Sequence, residues 1–201
     1  MTDSPEIVHI VLASGSQTRA QLLRAASVPF SVQPADLDEA RVREQFGGDA
    51  ATTALMLAER KATQVSQTNT AAAVIGSDQV LVLGDRQFDK PGTRPKAKQQ
   101  LRSLRGQTHA LCTAVAVAQG GRVAWSYGVV ASLRMRALTD AEIDAYLDRA
   151  GAAVLASPGA YHVEGLGVTL FEDITGDYFG ILGLPLLPLL AYLRRCGAVR
   201  D

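Results

Sequence analysis

The chain has 201 residues, of which 47% are hydrophobic and 20% charged, enough apolar material for one compact unit with a sizeable core. Lys and Arg number 20 and balance 20 Asp and Glu, so no overall field draws the chain to a nucleic acid polymer or an anionic membrane, and any anion site has to be local. Two cysteines, Cys112 and Cys196, match no metal-binding or redox spacing, which suits a reduced compartment.

The N-terminal "MTDSPEIVHIVLA" places acids before its apolar run and has no basic leader, and no stretch reaches the ~20 apolar residues of a membrane span. A cytoplasmic location is the expectation. Without an internal repeat or a Pro/Gly/Ser linker, residues 1–201 read as one domain.

In chain order, "IVHIVLA" (7–13) reads as a buried strand, followed by a Gly/Ser loop and a helix after Ser16 with Ala20, Leu23 and Ala26 or Ser27 on one face. Residues 28–34 read as extended. Between 50 and 66, Ala54, Ala58, Ala62 and Val65 recur at helical spacing, and Lys61 lies beside that stripe. "AAAVIGSDQVLVL" (71–83) reads as a strand that turns at Gly84-Asp85 into "RQF", with Lys90-Pro91 at the end of the hairpin. A helix carrying Ala97, Leu101 and Leu104 stops at Gly106.

"THALCTAVAVA" and "RVAWSYGVVASLRM" flank "QGG" and should pair as antiparallel strands. "TDAE" (139–142) is a capping box that opens a helix with Ile143, Tyr146 and Leu147 on one face. "LFEDITGDYFGILGLP" leads from a strand to a helix with Pro185 in its first turn. Hairpins interleaved with helices predict an α/β fold with a mixed, partly antiparallel central sheet flanked by helices.

Five features could carry chemistry. The loop with Ser14, Gly15 and Ser16 exposes the N–H groups of the next helix, where the dipole favours an anion, and Arg19 one turn on could hold phosphate oxygens in bidentate fashion. It equally suits a capped turn with Ser16 as N-cap, and it is no Walker motif, because Gly-Lys-Ser/Thr is absent. Asp78 interrupts an apolar strand, where a carboxylate must be paired, hydrogen-bonded or bound to a metal unless the strand has an open edge. Lys61 and Lys90 are compact charges suited to phosphate or to solvent. Glu39 in "ADLDEA" could share a divalent cation with Asp78 or belong to the acidic first turn of a helix. His109 in "GQTHAL" is either a base or a structural residue, and His9 and His162 carry no stronger signal.

Taken in order, "LASGSQTR", "DLDEA", "LAERKA", "VIGSDQVLVL", "DKP", "LRGQTHALCTAVAV", "LTDAEIDAYL", "YHVEGLG" and "ITGDYFGILGLPLLPLLAYL" resemble the successive motifs of the Maf family of nucleotide pyrophosphatases, over almost the whole chain. The resemblance implies two lobes around a deep cleft, a homodimer, and hydrolysis of nucleoside triphosphates to monophosphate and pyrophosphate with a divalent cation, magnesium or manganese. It puts the catalytic carboxylate at Asp78 and phosphate contacts at Ser14, Ser16, Arg19, Lys61 and Lys90. Glu39, with Asp78, takes the metal-binding role.

Positions associated with base choice fall at Thr18, Gln79 and Glu164. Gln79 and Glu164 resemble the branch acting on 7-methylguanosine triphosphate, and a carboxylate can accept from guanine N1–H and its 2-amino group together. The branch acting on dTTP and UTP typically has Thr and Gln at these two positions. Gln17 and Thr18 depart from the family's usual Pro and Arg, or Trp, so one arginine remains in this loop and no tryptophan is there to stack on a base. A pyrimidine-selective pyrophosphatase, a hydrolase of deaminated purine nucleotides and a nucleotide-binding regulator of cell division stay open as alternatives. A Nudix hydrolase is excluded by the lack of its acidic Arg-Glu-x-x-Glu-Glu helix.

Overall fold

A computed structural model describes residues 9–199. Seven strands form one sheet: β1 (Ile10–Leu12), β2 (Ser31–Val32), β3 (Ala73–Leu83), β4 (Arg86–Phe88), β5 (Thr108–Gln119), β6 (Arg122–Met135) and β7 (Phe171–Thr175). Their order is β2-β1-β3-β5-β6-β7, with β4 paired to β3 off this path. The β2, β1 and β3 ladders are parallel and the rest antiparallel, the mixed sheet that the alternation of hairpins and helices implies.

The helices are α1 (Gln17–Ala25), α2 (Glu39–Phe46), α3 (Ala50–Ser66), α4 (Arg94–Leu104), α5 (Asp140–Ala150), α6 (Tyr178–Ile181) and α7 (Leu186–Arg195), with three 3-10 turns between α5 and β7. Among the described residues no helix is long and apolar enough to cross a membrane.

Local signals place most of these ends. Ser16 caps α1 by accepting from Arg19 N, both halves of the Thr139–Glu142 capping box form, and Gly106 after α4 takes a positive φ of 69°. Three expectations shift. The strand expected over 7–13 is β1 at Ile10–Leu12, and Ile7 and Val8 lie outside the described residues. The extended stretch 28–34 yields only Ser31–Val32, because β1 is short and offers only Val11 and Leu12 as partners. Pro185 is the N-cap of α7 and not a residue of its first turn; its carbonyl accepts from Leu189 N.

One face of the sheet is covered by α3. Its Ala54, Ala58 and Ala62 pack on Val80, Cys112, Ala114, Ala116 and Ala118, and small residues on both sides let the backbones come close. A Cβ on Gly76 would fall 2.2 Å from Ala58 O and 2.6 Å from Ala62 N, so only glycine fits under this helix.

The other face carries two separate apolar clusters. Ile75, Val115 and Val117 pack with α1 and α7, while Leu81, Leu111 and Leu133 pack with α4 and α5. Side chains alternate along a strand, so Ser77 and Gln79 of β3 and Thr113 of β5 fall on this face between the clusters. This polar belt divides the apolar core into two lobes and leaves a cleft of about 850 Å³ between them.

Candidate active site

β3 builds the floor of the cleft by having more edge than its neighbours cover. Along one edge it pairs with β5 from Val74 to Val82. Along the other, β1 covers Ala73–Ile75 and β4 covers Leu81–Leu83, so residues 76–80 have no strand beside them. Asp78 sits in that gap. The two readings of this residue, buried in a strand and placed at an open edge, are therefore both correct. Main-chain groups of Ala73 and Ile75 bond toward β1, through His9 O and Ala13 N, and by alternation those of Ser77 and Gln79 point into the gap.

The Asp78 carboxylate is 4% exposed and is met by Lys61, itself buried beside the alanine stripe of α3. Lys61 Nζ lies 2.6 Å from Asp78 Oδ1 and 2.8 Å from Glu39 Oε1, and so bridges the two acids. Glu39 is the first residue of α2, where Asp38 caps the helix by accepting from Arg41 N, so it occupies an acidic first turn and the cleft wall at once. Burial pushes its carboxyl up, but Lys61, Lys90 and Arg43 outweigh that and hold it below the usual range.

Sequence reasoning missed Arg43. It lies four residues after Glu39 on α2, and its Nη2 is 3.5 Å from Asp78 Oδ2 and 3.7 Å from Glu39 Oε2, while its Nη1 donates to Asp89 Oδ1 at 3.2 Å. Lys61 thus takes one oxygen of each acid and Arg43 faces the other. Asp78 Oδ2 is buried and, among the described residues, has no hydrogen-bond partner. The only available signal was the acid-base spacing of Glu39 and Arg43, which is also common on solvated helices.

The opening loop stands on the cleft wall with its groups already fixed. Ser14 Oγ accepts from Ser16 N at 3.2 Å and from Arg19 Nη1 at 3.0 Å, so its own proton is left to donate. Arg19 Nε donates to Gly183 O at 2.7 Å. Burial pushes the Arg19 guanidinium below its ordinary value, against the fields of Asp78 and Glu39, which push it up. Ser16 is the cap that the turn reading expected, and it also faces the cleft with Gly15 and Arg19. A capped helix start with a buried cation one turn in is a ready anion site.

Lys90 lines the same cleft, with its field reaching Glu39. Thr18, Gln79 and Glu164 line it as well. Thr18 Oγ1 donates to Glu164 Oε1 at 3.2 Å across 146 positions of sequence. Gln79 Nε2 is held by Thr113 Oγ1, Gly180 O and Ile181 O at 2.8, 3.0 and 3.1 Å, which leaves the side-chain carbonyl as its free end.

Other polar residues serve the frame. Ser77 Oγ shares its proton between Ala114 O and Gly183 O, tying β3 to the segment that also anchors Arg19. His109 is buried beside Tyr161 and Phe171, with Nε2 2.8 Å from Tyr161 Oη. His9 bonds Ser31, and His162 lines the cleft.

Among the described residues no three acids, histidines or cysteines converge. Two carboxylates suit magnesium or manganese only where substrate phosphates and waters complete the shell, and the unpartnered Asp78 Oδ2 is the oxygen available for that purpose.

The family described as Maf-like protein matches residues 9–196. A "Nucleoside triphosphate pyrophosphatase" of Rhodopseudomonas palustris (strain BisB18) is 50% identical over 187 residues, covering 92% of this chain and 93% of its own. A "7-methyl-GTP pyrophosphatase" of Brucella abortus biovar 1 (strain 9-941) is 48% identical over 191 residues, 94% of this chain and 96% of its own. Another of that name, from Mesorhizobium japonicum (strain LMG 29417 / CECT 9101 / MAFF 303099), is 45% identical over 193 residues, 94% and 97%.

Proposed function

The chain belongs to the Maf family, and on that premise we propose that its cleft takes a nucleoside triphosphate and hydrolyses it to the monophosphate and pyrophosphate. It is a hydrolase of phosphoric anhydride bonds. The observation that carries the reading is the Glu39–Lys61–Asp78 array in the β3 gap, facing the capped loop that holds Arg19.

Each group has a role set by its position. Ser14, Ser16, Arg19 and the N–H groups at the start of α1 hold phosphate oxygens from one wall, and Lys90 does so from the other. Asp78 Oδ2, buried and without a hydrogen-bond partner among the described residues, orients the attacking water and takes its proton, while Lys61 fixes the opposite oxygen so that the carboxylate cannot turn away. Asp78 and Glu39 would hold a magnesium or manganese ion, which when bound stabilises charge developing on the departing pyrophosphate. Positioning of this kind supplies much of the rate in phosphoryl transfer.

For the base, a purine is favoured. Gln79 offers its carbonyl and Glu164 a carboxylate, two acceptors that match the N1–H and 2-amino donors of guanine, methylated at N7 or not. The chain acts as a homodimer in the cytoplasm in this reading. The deciding experiment is pyrophosphate release from canonical, N7-methylated and deaminated triphosphates by the purified protein with magnesium. Tight nucleotide binding with no product would make it a binding regulator instead.

A further inference from the structure

Arg43 stands where an incoming cation would have to stand. The two acids at the site each present an inner oxygen, Asp78 Oδ1 and Glu39 Oε1, to Lys61 at 2.6 and 2.8 Å. Their outer oxygens, Asp78 Oδ2 and Glu39 Oε2, face Arg43 Nη2 at 3.5 and 3.7 Å. Lys61 is hydrogen-bonded and nearly buried, whereas Arg43 neutralises its two acids from beyond hydrogen-bond distance, and among the described residues Asp78 Oδ2 is left without a hydrogen bond.

Arg43 is held by few hydrogen bonds. Among the described residues its Nε is buried without a hydrogen-bond partner, and its one hydrogen bond to a side chain runs from Nη1 to Asp89, whose side chain is 88% exposed. An ion pair to so exposed a partner stabilises by at most about 1 kcal/mol. Turning the guanidinium away from Asp89 therefore costs little. A divalent ion at the outer oxygens would repel it, and the triphosphate entering the same cleft would attract it.

The cleft has few other cations for a triphosphate. Lys61 is committed between two carboxylates, which leaves Arg19, fixed by Ser14 and Gly183 on one wall, and Lys90 on the other. With Gln17 and Thr18 beside it, Arg19 is the one guanidinium of its loop.

We propose that Arg43 is a displaceable counter-ion: it shields the outer oxygens of Asp78 and Glu39 in the free protein, then leaves them to pair with the triphosphate when nucleotide and metal enter. This rests on the nucleotide reading above and assigns Arg43 a substrate-binding role. Placeholder and clamp are one side chain, so removing it has opposite effects on two ligands.

The test measures the metal alone and the nucleotide in the presence of metal, in separate titrations. Manganese alone is titrated by electron paramagnetic resonance, and the α,β-methylene analogue of GTP, which cannot be cleaved at that bond, is titrated by calorimetry with magnesium. Arg43→Gln is expected to bind manganese alone about tenfold more tightly and the analogue about tenfold more weakly than the unaltered protein. Arg43→Lys keeps the charge but not the fork, and is expected to bind manganese as the unaltered protein does while still losing analogue affinity. Circular dichroism establishes that both variants are folded. Changes in the same direction for both ligands, or no change in either, would overturn the assignment. If the unaltered protein fails to bind the analogue, the nucleotide reading itself falls. If it binds and Arg43→Gln matches it, only the role of Arg43 falls.

Discussion

Lys61 and Asp78, 17 residues apart and on different elements, meet at 2.6 Å because α3 lies close enough on β3 for a lysine inside the alanine stripe to reach the strand gap. The pair is 8% and 4% exposed, so each charge is largely removed from water and the other is its nearest ionic partner. Packing and chemistry are one arrangement: the small residues that bring helix and strand together also exclude water from the carboxylate.

Asp78→Asn keeps the shape of the side chain and removes its charge. Lys61 retains Glu39, so the variant should fold, while pyrophosphate release should fall by at least about 100-fold because no base remains at the gap. Pyrophosphate release with magnesium, beside a thermal melt, is the check. Full turnover by the folded variant would remove Asp78 from the mechanism.

Lys61→Met tests the same contact from the helix. Two carboxylates would then share the site with only the longer Arg43 contacts, costing about 3 kcal/mol of stability near neutral pH. The loss should shrink in acid as Glu39, whose carboxyl Lys61 helps to hold low, takes up its proton, so urea denaturation at two pH values decides it. A pH-independent loss would point to packing instead.

Gly76→Ala should be damaging at some distance from the reacting groups. The new methyl would meet the backbone of α3 at Ala58 and Ala62, which cannot rotate away as a side chain can. Shifting the helix costs about 2–3 kcal/mol and draws Lys61 off Asp78. Activity, measured well below the melting temperature, should therefore fall along with stability. A variant that loses stability but keeps full turnover would show that Lys61 need not be held so closely.

Much of this was legible because its signals are local. Asp78 in an apolar strand, Lys61 beside an alanine stripe, Ser16 before a helix and the Thr139 capping box are each set by a few neighbouring residues. What stayed hidden depends on register between distant segments. That β1 and β4 stop short of one another along β3, leaving 76–80 open, follows from no stretch of sequence. Ser77 and Thr113 read as ordinary strand residues until pairing sets them side by side between two apolar clusters. Arg43 resembled a solvated helix residue for the same reason.

Glu164→Gln addresses the base. Thr18 holds the Glu164 carboxylate at the cleft rim, and an amide there turns one of two acceptors into a donor. Catalytic efficiency on guanosine-type triphosphates should fall about tenfold, while that on uridine or thymidine triphosphates should rise. Competition between these substrates gives the ratio directly. An unchanged ratio would mean that Glu164 does not read the base edge.

His109 gives the fold an acid limit of its own. Burial lowers its pKa from 6.5 to about 4, and Nδ1 has no partner, so nothing stands ready to accept from a second N–H. The folded state thus prefers the neutral ring, while the unfolded chain protonates near the ordinary value. Stability from this residue is complete above pH 6.5 and is lost as pH falls toward 4. Between pH 7 and 4.5 the loss amounts to about 2 kcal/mol. His109→Gln cannot take up that proton and keeps a polar atom toward Tyr161, so its unfolding free energy should change less over the same interval. Urea denaturation of both proteins at pH 7 and 4.5 measures the difference. Parallel pH profiles would place the acid sensitivity in the carboxylates and not in His109.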